Sequence, residues 1–263
     1  MTKVNERLSG KTALVTGGSR SIGAAIAKRL AADGAAVAIT YSASPDKAAA
    51  VVKEIEDAGG RAIAIHADSG NPDSVRAAVA KTQEAFGSLD ILVNNAGIAL
   101  GGPIEEIKFE DYERMIAVNV TGVFVGTQEA ARRMKSGGRI IHIGSSMVRY
   151  AAFPTASLYT LTKGAVAGFN RSLVRDLGPK GIRDCQEFCA VGRFHQLKNR
   201  SPKMTANCVF ASTHSRGARF HCSAALLRTR YNSFIAASSP GKCPRERTAR
   251  RSFELRASIA FVV

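Results

Sequence analysis

The chain has 263 residues, with 37 Lys and Arg against 21 Asp and Glu, for a formal charge of +16. Its hydrophobic content of 45% supplies enough apolar material for a large α/β domain. No run of about 18 apolar residues occurs, so no transmembrane helix is expected. The start, MTKVNERLSGK, lacks the apolar stretch of a secretory signal, and a cytoplasmic location is the expectation.

The elements alternate along residues 1–183. Residues 11–16 (KTALVT) form a short apolar run, read as a buried strand. GGSRSIG follows, then residues with helical spacing up to a stop at Gly34. Residues 35–40 (AAVAIT) are a second strand. Residues 45–58 are a helix whose apolar face holds Val51, Val52 and Ile55. Residues 61–66 (RAIAIH) are a third strand, and 71–86 a helix with Pro72 in its first turn. Residues 89–93 (LDILV) form a fourth strand, followed by two helical stretches at 109–118 and 121–134. A fifth strand spans 139–143, and a long helix 157–177.

Near-continuously apolar strands between helices indicate a parallel sheet covered on both faces. Right-handed crossovers then give a doubly wound, Rossmann-like α/β fold. Its ligand belongs at the carboxyl ends of the strands, near the switch in strand order.

Three stretches carry chemistry. The first turn, Thr16 to Gly23, follows a strand and opens a helix. Its glycines let the backbone approach a pyrophosphate, and the helix N-terminus favours the charge. At the end of the second strand the chain reads Thr40-Tyr41-Ser42, where sites for NAD carry a carboxylate. The missing acid and the cation of Arg20 both favour the 2′-phosphate of NADP. Third, Tyr159 and Lys163 lie four apart in the long helix and so share a face. An ammonium beside a phenol favours the phenolate, which suits proton transfer. Ser146 lies thirteen residues before Tyr159, just after the fifth strand, and Ser145 is its rival.

Five motifs in this order resemble the short-chain dehydrogenase/reductase family. They are TGGSRSIG (16–23), NNAG (94–97), Asn119 in VNVTG, Ser146, and Tyr159-x-x-x-Lys163. The subgroup of 3-oxoacyl-acyl-carrier-protein reductases and related carbonyl reductases is the most similar. The resemblance implies an oxidoreductase reducing a carbonyl, a 3-oxoacyl thioester or similar ketone, with NADPH. It implies that Tyr159 gives the proton and that Ser146 bonds the same oxygen. Lys163 would hold the nicotinamide ribose, and Asn119 would order a proton-path water. The implied cofactor contacts are Gly17, Ser19, Arg20, Ser21, Ile22, Gly23, Ser42, Asp68 at the adenine, Asn95, Ala96, Gly97, Tyr159 and Lys163. Ser21 departs from the family, which has a glycine there. A homo-oligomer, commonly a tetramer built on the helices at 121–134 and 157–177, is also implied.

The resemblance stops after Arg183. The family's sixth strand, ending near V-N-x-[IV]-x-P-G, is expected to be missing, because the chain reads DCQEFCAVG. Residues 1–183 carry 23 Lys and Arg against 17 Asp and Glu; residues 184–263 carry 14 against 4. All five cysteines (Cys185, Cys189, Cys208, Cys222, Cys243) lie beyond 183. A break this abrupt is expected of a shifted reading frame; a divergent domain and a splice artefact are the alternatives. The tail's Cys and His spacing fits no paired metal-ligand pattern, and its arginines accompany no nucleic-acid motif, so neither a metal nor a specific nucleic acid is expected. A solvated or disordered basic segment is the expectation. An alternative for the whole chain is a nucleotide-binding protein with impaired catalysis that lacks the substrate-binding C-terminal region.

Overall fold

Four short apolar runs form the centre of the molecule because each is buried on both faces. In the computed structural model these are β1 (Thr12–Val15), β2 (Ala36–Tyr41), β4 (Ile91–Asn94) and β5 (Arg139–Ser145). With β3 (Arg61–His66), β6 (Arg183–Cys189) and β7 (Phe210–Ser212) they make one sheet, in the order β3-β2-β1-β4-β5-β6-β7. The structure describes residues 6–150, 154–189 and 210–212. The remainder of the basic tail, with the zinc, nucleic-acid and disorder expectations placed on it, lies outside the described residues.

The first six strands are parallel, and β7 pairs antiparallel with β6. Strand order reverses at β1, which pairs with β2 on one side and β4 on the other. The crevice for a ligand therefore opens above the ends of β1 and β4.

Helices α1 (Ser21–Ala32), α2 (Pro45–Asp57), α3 (Pro72–Phe86), α4 (Phe109–Ile116), α5 (Gly122–Arg133) and α6 (Ser157–Leu177) cover the sheet. Helix α3 shows how locally these are encoded. Asn71 caps it by accepting from the Asp73 and Ser74 amides, Pro72 begins it, and Gly87 ends it in the left-handed conformation. Leu14, Leu92 and Ile140 from neighbouring strands pack with Val79 of α3 and with Leu173 and Leu177 of α6. The expected doubly wound sheet is thus present.

Two expectations need correction. The helical stretches expected at 109–118 and 121–134 are one continuous helix. A π-helical turn, Ala117–Thr121, joins α4 to α5. Such turns insert a residue into the helix and re-aim its side chains, and this one carries Asn119.

The sixth strand, expected to be missing, is present. β6 pairs with β5 from Arg139↔Arg183 to Ser145↔Cys189. Its residues gave no apolar signal because the alternating positions Asp184 and Gln186 are polar yet buried. Main-chain hydrogen bonds form the ladder whatever the side chains are. Gln186 lies over Gly144, where an added Cβ would come within 2.7 Å of Nε2. Asp184 Oδ1 approaches His142 Nε2 to 3.1 Å, with both side chains fully buried, but without the alignment of a hydrogen bond. Burial pushes the Asp184 carboxyl up, and His142 offsets this only in part.

Candidate active site

The turn between β1 and α1 is bound tightly to the loop after β4. Thr16 Oγ1 donates to the Val93 carbonyl and accepts from the amides of Asn95 and Ala96, the latter two at 3.0 Å. Asn95 Nδ2 returns bonds to the carbonyls of Thr16 (2.8 Å) and Gly17 (3.1 Å). Two glycines are required here. Gly17 has φ 65°, and a Cβ on Gly23 would lie 2.4 Å from the Gly17 oxygen. The result is a cradle with bare backbone at the start of α1, the shape a pyrophosphate needs. Ser19 is half-buried, Arg20 is exposed, and Ile22 is half-buried beside them. Ser21 is exposed and adopts φ 49°, the left-handed conformation its glycine counterpart would take without cost.

Ser42 follows β2 in an exposed position, and its carbonyl is 3.1 Å from His66 Nε2. No carboxylate stands at this strand end, so a 2′-phosphate meets no repulsion there. Asp68 follows β3 and is half-exposed, but both its oxygens are engaged. Arg114 of α4 donates to each at 3.0 Å, and the Gly70 amide donates to Oδ1 at 2.9 Å. The Arg114 guanidinium holds Asp68 below the usual carboxylate range, against partial burial and with help from the Gly70 amide. Arg114 was not foreseen, since nothing in the sequence ties α4 to the end of β3.

The residues expected to transfer the proton lie on α6, beyond the end of β5. Lys163 is only 6% exposed, and its Nζ donates to the Ile143 carbonyl at 2.7 Å. That nitrogen is 5.9 Å from the centre of the Tyr159 ring, one turn earlier on α6. Tyr159 itself is half-exposed. Gly97 is the third side of this corner. A Cβ there would be 3.4 Å from Asn119 Oδ1 and 3.7 Å from Lys163 Nζ.

Asn119 is buried and fully bonded. Its Oδ1 accepts from Ile98 N, and its Nδ2 donates to the Ile98 carbonyl and to Thr162 Oγ1. Thr162 was also missed, although its spacing of three from Tyr159 places it on the same helix.

Ser146 is the first residue after β5 and opens a short 3-10 turn, Ser146–Val148, against which α6 packs. Its rival Ser145 is 1% exposed, with Oγ accepting from the Met147 amide. Ser146, by contrast, is only half-buried. Its Oγ lies 3.4 Å from the hydroxyl of Tyr150, a residue the sequence did not single out.

A family model described as short chain dehydrogenase matches residues 11–187. The chain belongs to the short-chain dehydrogenase family. As an oxidoreductase of that family it bears out the expected class, and the match runs past residue 183 into β6. This short-chain dehydrogenase is 42% identical over 178 residues to a versicolorin reductase of Emericella nidulans, covering 68% of this chain and 67% of that one. A short chain dehydrogenase from Burkholderia cenocepacia, solved in complex with NADP, is 55% identical with a TM-score of 0.66. That match covers 67% of this chain and 72% of the other. The angucycline C-6 ketoreductase LanV, solved with bound NADP, is 41% identical with a TM-score of 0.65, covering 68% and 72%. The expectation of NADP as cofactor holds, since these two solved relatives carry NADP.

Proposed function

We propose that the protein reduces a small-molecule ketone to a secondary alcohol with NADPH, a 3-oxoacyl thioester or a similar ketone being the substrate. The observation that carries the reading is the buried Lys163, held beside Tyr159 and Asn119 at the strand ends. The bare turn at Gly17 and Gly23 would hold the pyrophosphate, and Arg20 would pair with the 2′-phosphate. Ser42 leaves that phosphate room, and Asp68 would face the adenine. Asn95, Ala96 and Gly97 would border the nicotinamide half.

When bound, NADPH supplies the hydride that the carbonyl carbon receives. Ser146 donates a hydrogen bond to the carbonyl oxygen, where negative charge develops. Tyr159 transfers its phenolic proton to that oxygen, completing the alcohol. Lys163 stabilises the phenolate left behind by its positive charge. Asn119, fixed by Ile98 and Thr162, holds the loop of Gly97 against this corner. The names of two relatives, a versicolorin reductase and a ketoreductase, support carbonyl reduction. The test is NADPH oxidation with an acetoacetyl thioester. Tyr159→Phe should lower kcat by about 10²-fold or more while NADPH still binds. Full rate in that variant would sink the assignment.

A second reading is a chain that binds the nucleotide without efficient turnover. It is favoured by the end of the family match at residue 187 and by the buried polar residues of β6. In that reading the stretch from residue 184 derives from a shifted frame. An unbroken frame in an independent isolate would refute the shift, and NADPH binding without turnover would establish the impaired chain. Either protein is read as a cytoplasmic homo-oligomer. Among the described residues no helix is long and apolar enough to cross a membrane. Phe124 on α5 and Leu161 on α6 expose apolar surface suited to a second copy, which light scattering would detect.

A further inference from the structure

Tyr150 has no part in the reaction as derived above, yet it sits beside a group that does. The turn that carries it is well fixed. Ser145 Oγ accepts from the Met147 amide, the Met147 side chain is buried, and the Arg149 amide donates to the Ser146 carbonyl at 2.9 Å. Tyr150 follows directly, with 52% of its surface exposed. Its hydroxyl is 3.4 Å from Ser146 Oγ. That separation exceeds the roughly 2.7–2.8 Å of a well-formed O–H···O bond, so the two hydroxyls are neighbours without being locked to one another. Each can turn its proton to a third atom.

We propose that Tyr150 is a specificity-determining residue, and that it selects carbonyl substrates bearing a second oxygen in a 1,3 relationship to the reacting carbonyl. The inference rests on the carbonyl-reductase reading of the site. The argument is one of matched spacing. Two donors 3.4 Å apart can be met by two substrate oxygens about 2.5–3.0 Å apart, a hydrogen-bond distance. Oxygens on carbons 1 and 3 of a planar β-dicarbonyl, or of its enol, have that spacing on one side of the molecule. A β-keto ester, a 3-oxoacyl thioester and a ring ketone with a β-hydroxyl all qualify. With the reacting oxygen on Ser146, the second oxygen falls to the Tyr150 hydroxyl. A simple ketone makes the first contact only. The phenol is half in solvent, so the gain is that of one exposed, neutral hydrogen bond, about tenfold at most.

The test compares ethyl acetoacetate with 2-octanone, a monoketone of equal heavy-atom count, on the full chain with NADPH. The quantity read is the ratio of their kcat/KM values, first for the parent and then for Tyr150→Phe, which keeps the ring and loses the hydroxyl. Intrinsic reactivity cancels because the same two ketones are compared in both proteins. The ratio should fall by more than about twofold and up to about tenfold in the variant. A ratio unchanged within about twofold overturns the inference, since a merely structural role for Tyr150 would move both ketones together. If neither ketone turns over, the same ratio is taken from calorimetric dissociation constants on the NADP⁺ complex. Dependence on Tyr150 there supports the inference while the proposed reaction falls; its absence overturns the inference.

Discussion

Asn119 and Ile98 bond to each other in both directions: Ile98 N donates to Oδ1 at 2.9 Å, and Nδ2 donates to Ile98 O at 2.8 Å. A side chain here does what a strand neighbour would do for the loop after β4. Asn119→Leu keeps the volume but leaves both Ile98 groups, and Thr162 Oγ1, without this partner. The loss should be about 2 kcal/mol, at about 1–3 kcal/mol for an orphaned group. Urea unfolding reads it as a lower midpoint. An unchanged midpoint would show that the bridge contributes nothing.

Ser21 should become more stable as glycine. Its φ of 49° is left-handed, which costs a residue with a Cβ about 1–2 kcal/mol. The greater freedom of glycine in the unfolded chain returns about 0.4–1 kcal/mol of that. Ser21→Gly should therefore gain about 0.5–1 kcal/mol in chemical denaturation. A loss of stability would mean that the serine hydroxyl compensates its own strain.

Arg20 should set the preference between the two dinucleotides. It is exposed at the start of α1, and no acid faces it at the end of β2. Arg20→Glu should weaken NADPH about tenfold or more, with NADH changed much less, because only the former carries the 2′-phosphate. Exposure makes the effect sensitive to salt, so the titrations belong at low ionic strength. Equal weakening of both nucleotides would remove Arg20 from the 2′-phosphate.

Asp184 should make stability fall toward neutral pH. Burial raises its carboxyl in the folded chain, with His142 offsetting part of the rise. The folded protein thus keeps this proton to higher pH than the unfolded one. The associated stability is complete below the ordinary carboxylate range and is lost as pH rises through the raised value. Asp184→Asn has no such proton to lose. Its melting temperature should match the parent near about pH 4 and exceed it by about 2–4 °C near pH 8, the shift expected per kcal/mol for a chain of this size. A difference that does not change with pH would rule out Asp184 as the source.

Much of this was legible in the chain because the relevant signals are local. The strands at 12–15, 36–41 and 91–94 are mostly apolar, and the Gly-rich turn stands where a strand gives way to a helix. Tyr159 and Lys163 declare their shared face by spacing alone. What was not legible depends on distant partners. Arg114 reaches Asp68 across forty-six residues, and Asn119 bonds Ile98 from within a π-turn. β6 was misread for a different reason: periodicity records which side chains prefer burial, while Asp184 and Gln186 are buried against preference by a backbone ladder.

That ladder also makes β6 a natural joint for chimaeras. Seven paired positions carry the strand along β5, and the space over Gly144 is filled by one replaceable side chain, Gln186. A donor segment beginning at residue 184, with a polar partner for His142 at the first inward position and valine or isoleucine at the second, would enter the same register. Exchange at this joint would replace a buried polar seam with a better-matched one, and would let the proposed site be joined to C-terminal segments taken from other proteins.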